Sequence, residues 1–346
     1  MSLASSQRLP ATLAPAVGLM FGACLPAVHA DEQVFDLPAT NVTGKQSAYK
    51  VDDVTSSKIT TPLLDAPQSI TVVPKAVLEE QNAQSLQDVL RNVPGITFMS
   101  GEGNLGWGDL FSIRGFAAEQ SLTVDGVRDA GMSSRNDTFN LEQAEVFKGT
   151  GSVESGVSAV GGSVNLVSKR AHLGDDGKLS AGIGTDNYKR LTADINRQLN
   201  ETTAVRVNLM KHYNGVSERD EVDYDRWGFA TSVGFGLGTD TRVWLDAFYQ
   251  KDKNTPDGGV PIQRGTDGKR MPGVSRDAWF GDSDLYTQRS ETRSLTGLVE
   301  HDFNDDLTLR NQLRWQQTDN WAVLSPARFI ACLLYTSDAA DEEDSV

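Results

Sequence analysis

From Lys178 onward, apolar and polar side chains alternate with a period of two, as they do in strands whose two faces meet different surroundings. Leu191, Ala193 and Ile195 alternate with Thr192, Asp194 and Asn196, and Val205, Val207 and Leu209 with Arg206 and Asn208. Trp227, Phe229, Val233, Phe235 and Leu237 share one face opposite Gly228, Ala230, Ser232, Gly234 and Gly236. Leu307, Leu309, Leu313 and Trp315 lie opposite Thr308, Arg310, Gln312 and Arg314. The pattern predicts about seven strands. Short turns near 200–203, 238–241 and 304–306 separate longer links near 214–226 and 253–290. A soluble sandwich buries its apolar face in a second sheet. A membrane barrel exposes it to lipid, with tight turns at one end and long loops at the other.

Upstream, the pattern changes to a mixed α/β unit over 59–170. Ile70–Val73 reads as a short strand, and Pro74 suits the start of a helix over Lys75–Gln81. Ser85 and Asp88 form a variant capping box before Leu86, Val89 and Leu90 at helical spacing. Pro94 and Gly95 end that helix, and Asp125-Gly126 predicts a hairpin turn after Leu122–Val124.

The first thirty residues, 1–30, read as a secretory signal: Arg8, an apolar stretch, then Val28-His29-Ala30 before Asp31. Residues 31–58 have few large apolar side chains and predict a flexible segment. Alternation stops after Phe329, and 331–346 look like a foreign tail, translated from sequencing adapter.

Composition narrows the class. The chain has 346 residues, 38% of them hydrophobic, and a mean hydropathy of −0.36, so spanning helices are not expected beyond the N-terminus. A net charge of −15 argues against nucleic acid. The two cysteines, Cys24 and Cys332, lie outside the predicted body and build no disulfide framework or metal cluster. His29, His172, His212 and His301 are scattered without ligand spacing. Gly149-Thr-Gly151 lacks the continuation that a nucleotide loop requires. No catalytic constellation is present, and no enzymatic activity or cofactor is expected.

Several segments together carry a likeness. They are Asp65–Pro74, Asn92–Phe98, Ser112–Phe116, Leu122–Asp129, Glu142–Gly149 and Gly161–Lys169. In that order and spacing the chain resembles the TonB-dependent outer-membrane receptors that import ferric siderophores, with a leaning to the catecholate type. The resemblance implies an α+β plug over 59–170, then the first part of an antiparallel transmembrane β-barrel over 171–330. Such transporters use about 22 strands, so the barrel is expected to be incomplete. Thr150 stands where the family has proline, which leaves the turn after Lys148-Gly149 open.

The resemblance also supplies roles. Leu37, Pro38, Ala39, Thr40, Asn41, Val42 and Thr43 resemble the TonB box, an extended segment that adds to a partner's sheet edge. Trp107 in a Gly-rich plug loop, Arg128 and Arg135 in a second loop, and Trp279 in the long link are the ligand-binding candidates. Arg114, Gly115, Gly161 and Gly162 are structural, with Arg114 expected to lie buried against the barrel wall. Implied partners are TonB with ExbB and ExbD, a ferric siderophore carrying the iron, and outer-membrane lipid, with the receptor a monomer. Cobalamin, a saccharide or another chelate is the alternative cargo. A passive porin and a secreted adhesin are the rivals outside the family.

Overall fold

The computed structural model describes residues 49–324, except 52–53, 57–58, 60, 100–108, 130–135, 151–159 and 264–267. The described residues belong to one compact unit. Trp107, Arg135, Leu37–Thr43, the leader and the tail after Leu324 lie outside them.

The first part of this unit is α+β. Strand β1 (Ser69–Pro74) leads directly into α1 (Lys75–Glu80), with Pro74 in extended conformation at the helix start. Helix α2 (Leu86–Leu90) is capped by Ser85, whose Oγ accepts the Asp88 backbone N–H at 3.2 Å and donates to the Asp88 carboxylate at 2.8 Å. Short strands β2 (Ile96–Phe98), β3 (Phe111–Ile113) and β4 (Phe116–Ala117) make one sheet. Strands β5 (Leu122–Val124), β6 (Val127–Arg128), β7 (Leu141–Lys148) and β8 (Gly162–Ser168) join β1 in the order β1-β7-β8-β5-β6. The expected turn between β5 and β6 is present, with Asp125 at φ 53° and Gly126 at φ 81°. One core holds both sheets to the helices: Leu86, Val89 and Leu90 of α2 pack with Phe111, Ile113, Val146 and Val164, each at most 1% exposed.

The second part is a seven-stranded antiparallel meander, β9 (Asp176–Ile183) to β15 (Leu307–Val323), each strand beside the next in sequence. Between them are β10 (Lys189–Asn200), β11 (Thr203–Gly215), β12 (Asp223–Phe235), β13 (Thr241–Asn254) and β14 (Thr287–Asn304). The sheet does not close on itself: β9 and β15 are its two edges. Turns at 201–202, 236–240 and 305–306 mark one end, and the loops 216–222 and 255–286 mark the other.

The period-two pattern is borne out in space. Even-numbered residues of the strands point at the α+β unit and are polar: Asn196, Arg206, Asn208, Ser232, Gln250, Asp252 and Thr292 are all buried. Odd-numbered residues point away and are apolar and exposed, among them Leu179 at 74%, Ile183 at 90% and Leu313 at 77%. No second sheet covers that face among the described residues. Exposed aromatics bound it: Trp227 and Phe235 on β12, Trp315 on β15, and Phe303 on β14. The eight-residue span from Trp227 to Phe235 runs about 26 Å at about 3.3 Å per residue. Tilted as barrel strands are, it covers about 20 Å of height, near the roughly 25 Å apolar band of an outer-membrane barrel.

Two expectations need correction. Leu237 does not share the outward face of Trp227 and Phe235: β12 ends at Phe235, and Gly236, at φ 67°, turns the chain inward. Leu237 therefore packs with Ala171, Ala204 and Trp244 beside the linker that leaves the plug. Arg114 is not buried against a wall. It sits exposed at φ 53° in the tight β3–β4 turn, where its backbone N–H donates to the Gly95 carbonyl at 2.7 Å. That turn lays the guanidinium beside Gly149, near the like charge of Lys148.

A Cβ built on Gly161 would lie 2.1 Å from the Ile113 carbonyl oxygen, and one on Gly162, at φ 145°, 2.2 Å from that of Phe147. Both meet backbone, which cannot swing aside. Gly161→Ala is expected to cost about 1–3 kcal/mol by overpacking. Gly115, at φ 83°, faces open space, so Gly115→Ala pays only backbone strain of about 1–2 kcal/mol. Thermal melting of the two variants, with the rate of proteolysis at the β8 start, should separate them: only Gly161→Ala opens that junction.

Candidate functional site

The seam between the α+β unit and the polar face of the meander holds most of the buried charge. Asp137 precedes β7 and its side chain is wholly buried. Arg190 of β10 grips it bidentately, Nη1 to Oδ2 at 3.0 Å and Nη2 to Oδ1 at 2.7 Å. Arg226 of β12 donates Nη1 to Oδ2 at 2.9 Å and pairs through Nε with Asp252 of β13. Burial opposes the charge on Asp137, but the two guanidinium groups outweigh it and hold the carboxyl below its usual range. Nearby, Phe139 stacks on Phe248 at 5.7 Å and lies over Gly228, where a Cβ would sit 2.7 Å from its ring.

A second cluster centres on Asp194 of β10. Arg206 of β11 donates to both its oxygens at 2.8 Å, and Lys169 and Lys75 reach it at 3.0 Å and 3.5 Å. Arg206 also pairs with Glu142 of β7 at 3.2 Å. Burial, helped by the cations of Lys75 and Arg206, lowers the Lys169 ammonium below its usual range against the pull of Asp194. In a third cluster, Arg170 reaches Asp246 of β13 at 3.2 Å and Asp125 at 3.6 Å, and Arg314 of β15 faces Asp125 at 3.9 Å. Gln316 donates to Asp129 at 2.7 Å. Each cluster joins plug residues to strand residues, so the seam is fastened by ion pairs. The inward side chains of β14 differ: Ser290, Thr292, Ser294 and Thr296 are buried but uncharged.

At the short-turn end, Thr55 docks onto the plug. Its backbone N–H and hydroxyl both donate to Glu145 Oε1, at 2.6 Å and 2.7 Å, while Asn165 donates to Oε2 at 2.9 Å. Glu145 lies at the middle of β7, wholly buried. Arg310 of β15 donates to the Thr55 carbonyl at 3.3 Å. Tyr49 is held to Glu80 of α1 through two contacts at 2.6 Å and 2.7 Å.

At the long-loop end, Arg219 organises both loops. It pairs with Asp257, Nε to Oδ2 at 2.8 Å, and donates to the carbonyls of Arg276 and Ala278 at 2.9 Å each. The Trp279 indole N–H donates to the Pro256 carbonyl at 3.0 Å, and its ring meets Tyr286 edge-on at 5.8 Å. Trp279 thus serves as a loop anchor here, and its neighbour Phe280 is the more exposed ring at 44%. Arg128 is exposed on β6, with Nη2 donating to Gln120 at 3.2 Å. Arg128 lies on β6 and Trp279 in the 255–286 loop, so the two described candidates sit on different elements. Sequence reasoning missed Asp137, Glu145 and Arg219. Among the described residues no group of three or more His, Cys, Asp or Glu side chains is placed to hold a metal ion.

Comparisons with known proteins agree with this arrangement. Residues 62–163 match the family model described as TonB-dependent Receptor Plug Domain. The chain is 38% identical over 320 residues to the probable TonB-dependent receptor BfrD of Bordetella pertussis, covering 92% of this chain and 43% of that one. It is 38% identical over 284 residues to the catecholate siderophore receptor Fiu of Escherichia coli K12, covering 78% and 37%. Among solved structures, the closed form of the ferric-catecholate import receptor Fiu superposes with a TM-score of 0.76 at 36% identity, over 82% of this chain and 41% of that one. The siderophore receptor PiuA of Acinetobacter baumannii gives 0.74 at 37% identity, over 79% and 39%. The chain spans about two fifths of the length of the curated relatives it matches.

Asp137→Asn leaves Arg190 and Arg226 buried without their shared carboxylate, a change that costs about 3–5 kcal/mol when a buried pair is broken. Hydrogen exchange of β7 should rise in this variant and stay unchanged in Asp88→Asn, whose partner Arg91 is exposed. The folded pKa of Asp137 lies below its ordinary 3.8. Its stabilisation is therefore complete above that value and is lost as pH falls through the folded pKa. Acid should release the plug, and a scan from pH 5 to 8 should leave the Asp137 contribution constant.

Proposed function

We propose that this chain, which belongs to the TonB-dependent receptor family, provides the plug and barrel strands of a Gram-negative outer-membrane receptor that imports a ferric siderophore. One observation carries the reading. The plug is fastened by buried ion pairs to the polar face of a sheet whose opposite face is apolar, exposed and bounded by aromatics. A soluble protein would cover that face, whereas lipid solvates it. A passive porin has no use for a bolted plug.

Cargo and energy source follow from the family. A ferric catecholate is favoured because Fiu carries that ligand class in its name and aligns with this chain at 38% identity. The iron enters as cargo, inside its chelate, and the protein needs no resident cofactor. Ligand binds at the long-loop end, between the plug apex and the loops that Arg219 ties together. Trp107, Arg128, Arg135 and Trp279 remain the proposed contacts. Binding alone cannot drive uptake against a gradient, so TonB, with ExbB and ExbD, pulls on Leu37–Thr43. That pull arrives at Thr55 and its hydrogen bonds to Glu145.

Uptake of labelled ferric chelates by iron-starved cells tests the reading. Deleting Leu37–Thr43 should abolish accumulation and leave surface binding intact. A ferric catecholate should be taken up in preference to a ferric hydroxamate or cobalamin. Accumulation that survives the deletion, or a steady open pore in single-channel recording, would overturn it.

A further inference from the structure

A cavity of about 380 Å³ separates α1 from the inward face of β9 and β10. Three register pairs line its wall: Lys178 with Asp194, Ser180 with Thr192, and Gly182 with Arg190. From Lys178 to Gly182 the wall runs about 13 Å, at about 3.3 Å per residue. Its middle pair is two hydroxyls, and neither makes a hydrogen bond among the described residues. Across the cavity stands Lys75, the first residue of α1. Its ammonium lies 3.5 Å from Asp194 Oδ2 and also makes no hydrogen bond among the described residues.

The charges around that ammonium do not balance. Both oxygens of Asp194 already accept from Arg206 at 2.8 Å, and Lys169 reaches the same Oδ2 at 3.0 Å. Arg206 has one further carboxylate, Glu142, at 3.2 Å. Lys75, Lys169 and Arg206 thus share two carboxylates. The other charges that line the cavity are matched: Lys178 by Glu79 at 2.8 Å, and Arg190 by Asp137, whose second partner Arg226 has Asp252. The Arg206 and Lys169 side chains are only 4% and 10% exposed, so water and salt screen the surplus poorly. Burial, and after it Lys75 and Arg206, hold the Lys169 ammonium below its usual range despite Asp194. A buried cation without a counter-ion is costly, and this group is one anion short.

We propose that this cavity binds a phosphate-class oxyanion, held by Lys75 and Lys169 and by the hydroxyls of Ser180 and Thr192. Both ammonium groups lie within 3.5 Å of one carboxylate oxygen, so a single ion reaches the two. Ammonium groups hold phosphate as point charges and need no fork, and hydroxyls donate to the remaining oxygens. At about 30 Å³ for each water, the cavity has room for the ion and part of its hydration. It lies on the inward face of the sheet, away from lipid, so the ligand is a free ion and not a headgroup. Bound there, the ion ties α1 and the exit linker to β10 through a fastening that can exchange, which the chain's own ion pairs cannot. The site goes beyond import and does not depend on the identity of the cargo.

The test uses the purified chain in neutral detergent, with inorganic phosphate as the probe. Equilibrium dialysis against radiolabelled phosphate should give saturable binding of one ion per chain. The melting temperature should rise with the logarithm of phosphate once the site fills, and chloride at equal ionic strength should not raise it. Lys75→Gln removes one charge-assisted hydrogen bond and should weaken binding roughly tenfold, whereas Lys75→Arg should retain it. Lys211→Gln, on the outward face of β11 where its lysine is paired with Asp225, should bind as the parent does. Loss of fold does not confuse the result, because Asp194 keeps Arg206 and Lys169 in the Lys75→Gln variant. In phosphate-free chloride that variant should melt no lower than the parent, since it sheds the surplus charge. Absence of bound phosphate in the parent, or equal binding by Lys75→Gln, overturns the site. So does a melting rise identical in the parent and Lys75→Gln, the mark of an ion merely excluded from the protein surface.

Discussion

An ion taken out of water must find its counter-ion, and in this protein the two members of each pair come from different parts of the chain. Asp137 belongs to the plug, while Arg190, Arg226 and Asp252 belong to the sheet. Arg170 belongs to the plug's exit linker and Asp246 to β13. Neither part keeps its buried charges satisfied without the other. The pairing also fixes which face of the sheet meets the plug. A shift of one residue in any strand would turn its inward arginines and aspartates toward the apolar side. The charged seam therefore determines the orientation of the exposed apolar face, and the membrane assignment follows from it.

The fastening is uneven around the plug. Strands β10 to β13 carry the closest ion pairs, β15 adds Arg314 facing Asp125 and Gln316 bound to Asp129, and β14 between them offers a run of small hydroxyl side chains. Breaking a buried ion pair costs about 3–5 kcal/mol, whereas giving up a neutral hydrogen bond to water costs about 1 kcal/mol. On the import reading, a rearranging plug parts first along β14 and stays held by β10–β13 on one side of it and by β15 on the other. The Phe139–Phe248 stack sits on the pinned side, where close packing over Gly228 adds to the resistance.

Much of this was legible in the sequence, because it depends on local order. The period-two alternation of β11 and β12, the Ser85 cap and the Asp125-Gly126 turn each follow from a few adjacent residues. Leu237 misled because alternation continues on paper past Phe235, while Gly236 breaks the strand. Arg114 misled because the resemblance supplied a role that the tight β3–β4 turn does not display. Asp137 was invisible for a different reason. Its partners lie 53 and 89 residues downstream, and nothing local marks one aspartate among many as the buried one. Glu145 hid in the same way, since a lone acid in a strand normally signals an exposed position.

Glu145 shows how a pull on the N-terminal segment would be felt inside. Thr55 supplies two of the donors to its Oε1, and in register the residue pairs with Val72 of β1 and Asn165 of β8. Tension that strips Thr55 away leaves a buried carboxylate short of hydrogen bonds at the centre of the plug sheet, which is costly. The carboxylate can recover only by admitting water or by separating β1 from β7. Tyr49 and its contacts to Glu80 lie earlier along the same line of force but are exposed, so they yield at little cost and shield nothing. On the import reading, the mechanical threshold of the plug would lie at Thr55, where a surface segment completes the hydrogen bonding of a buried carboxylate.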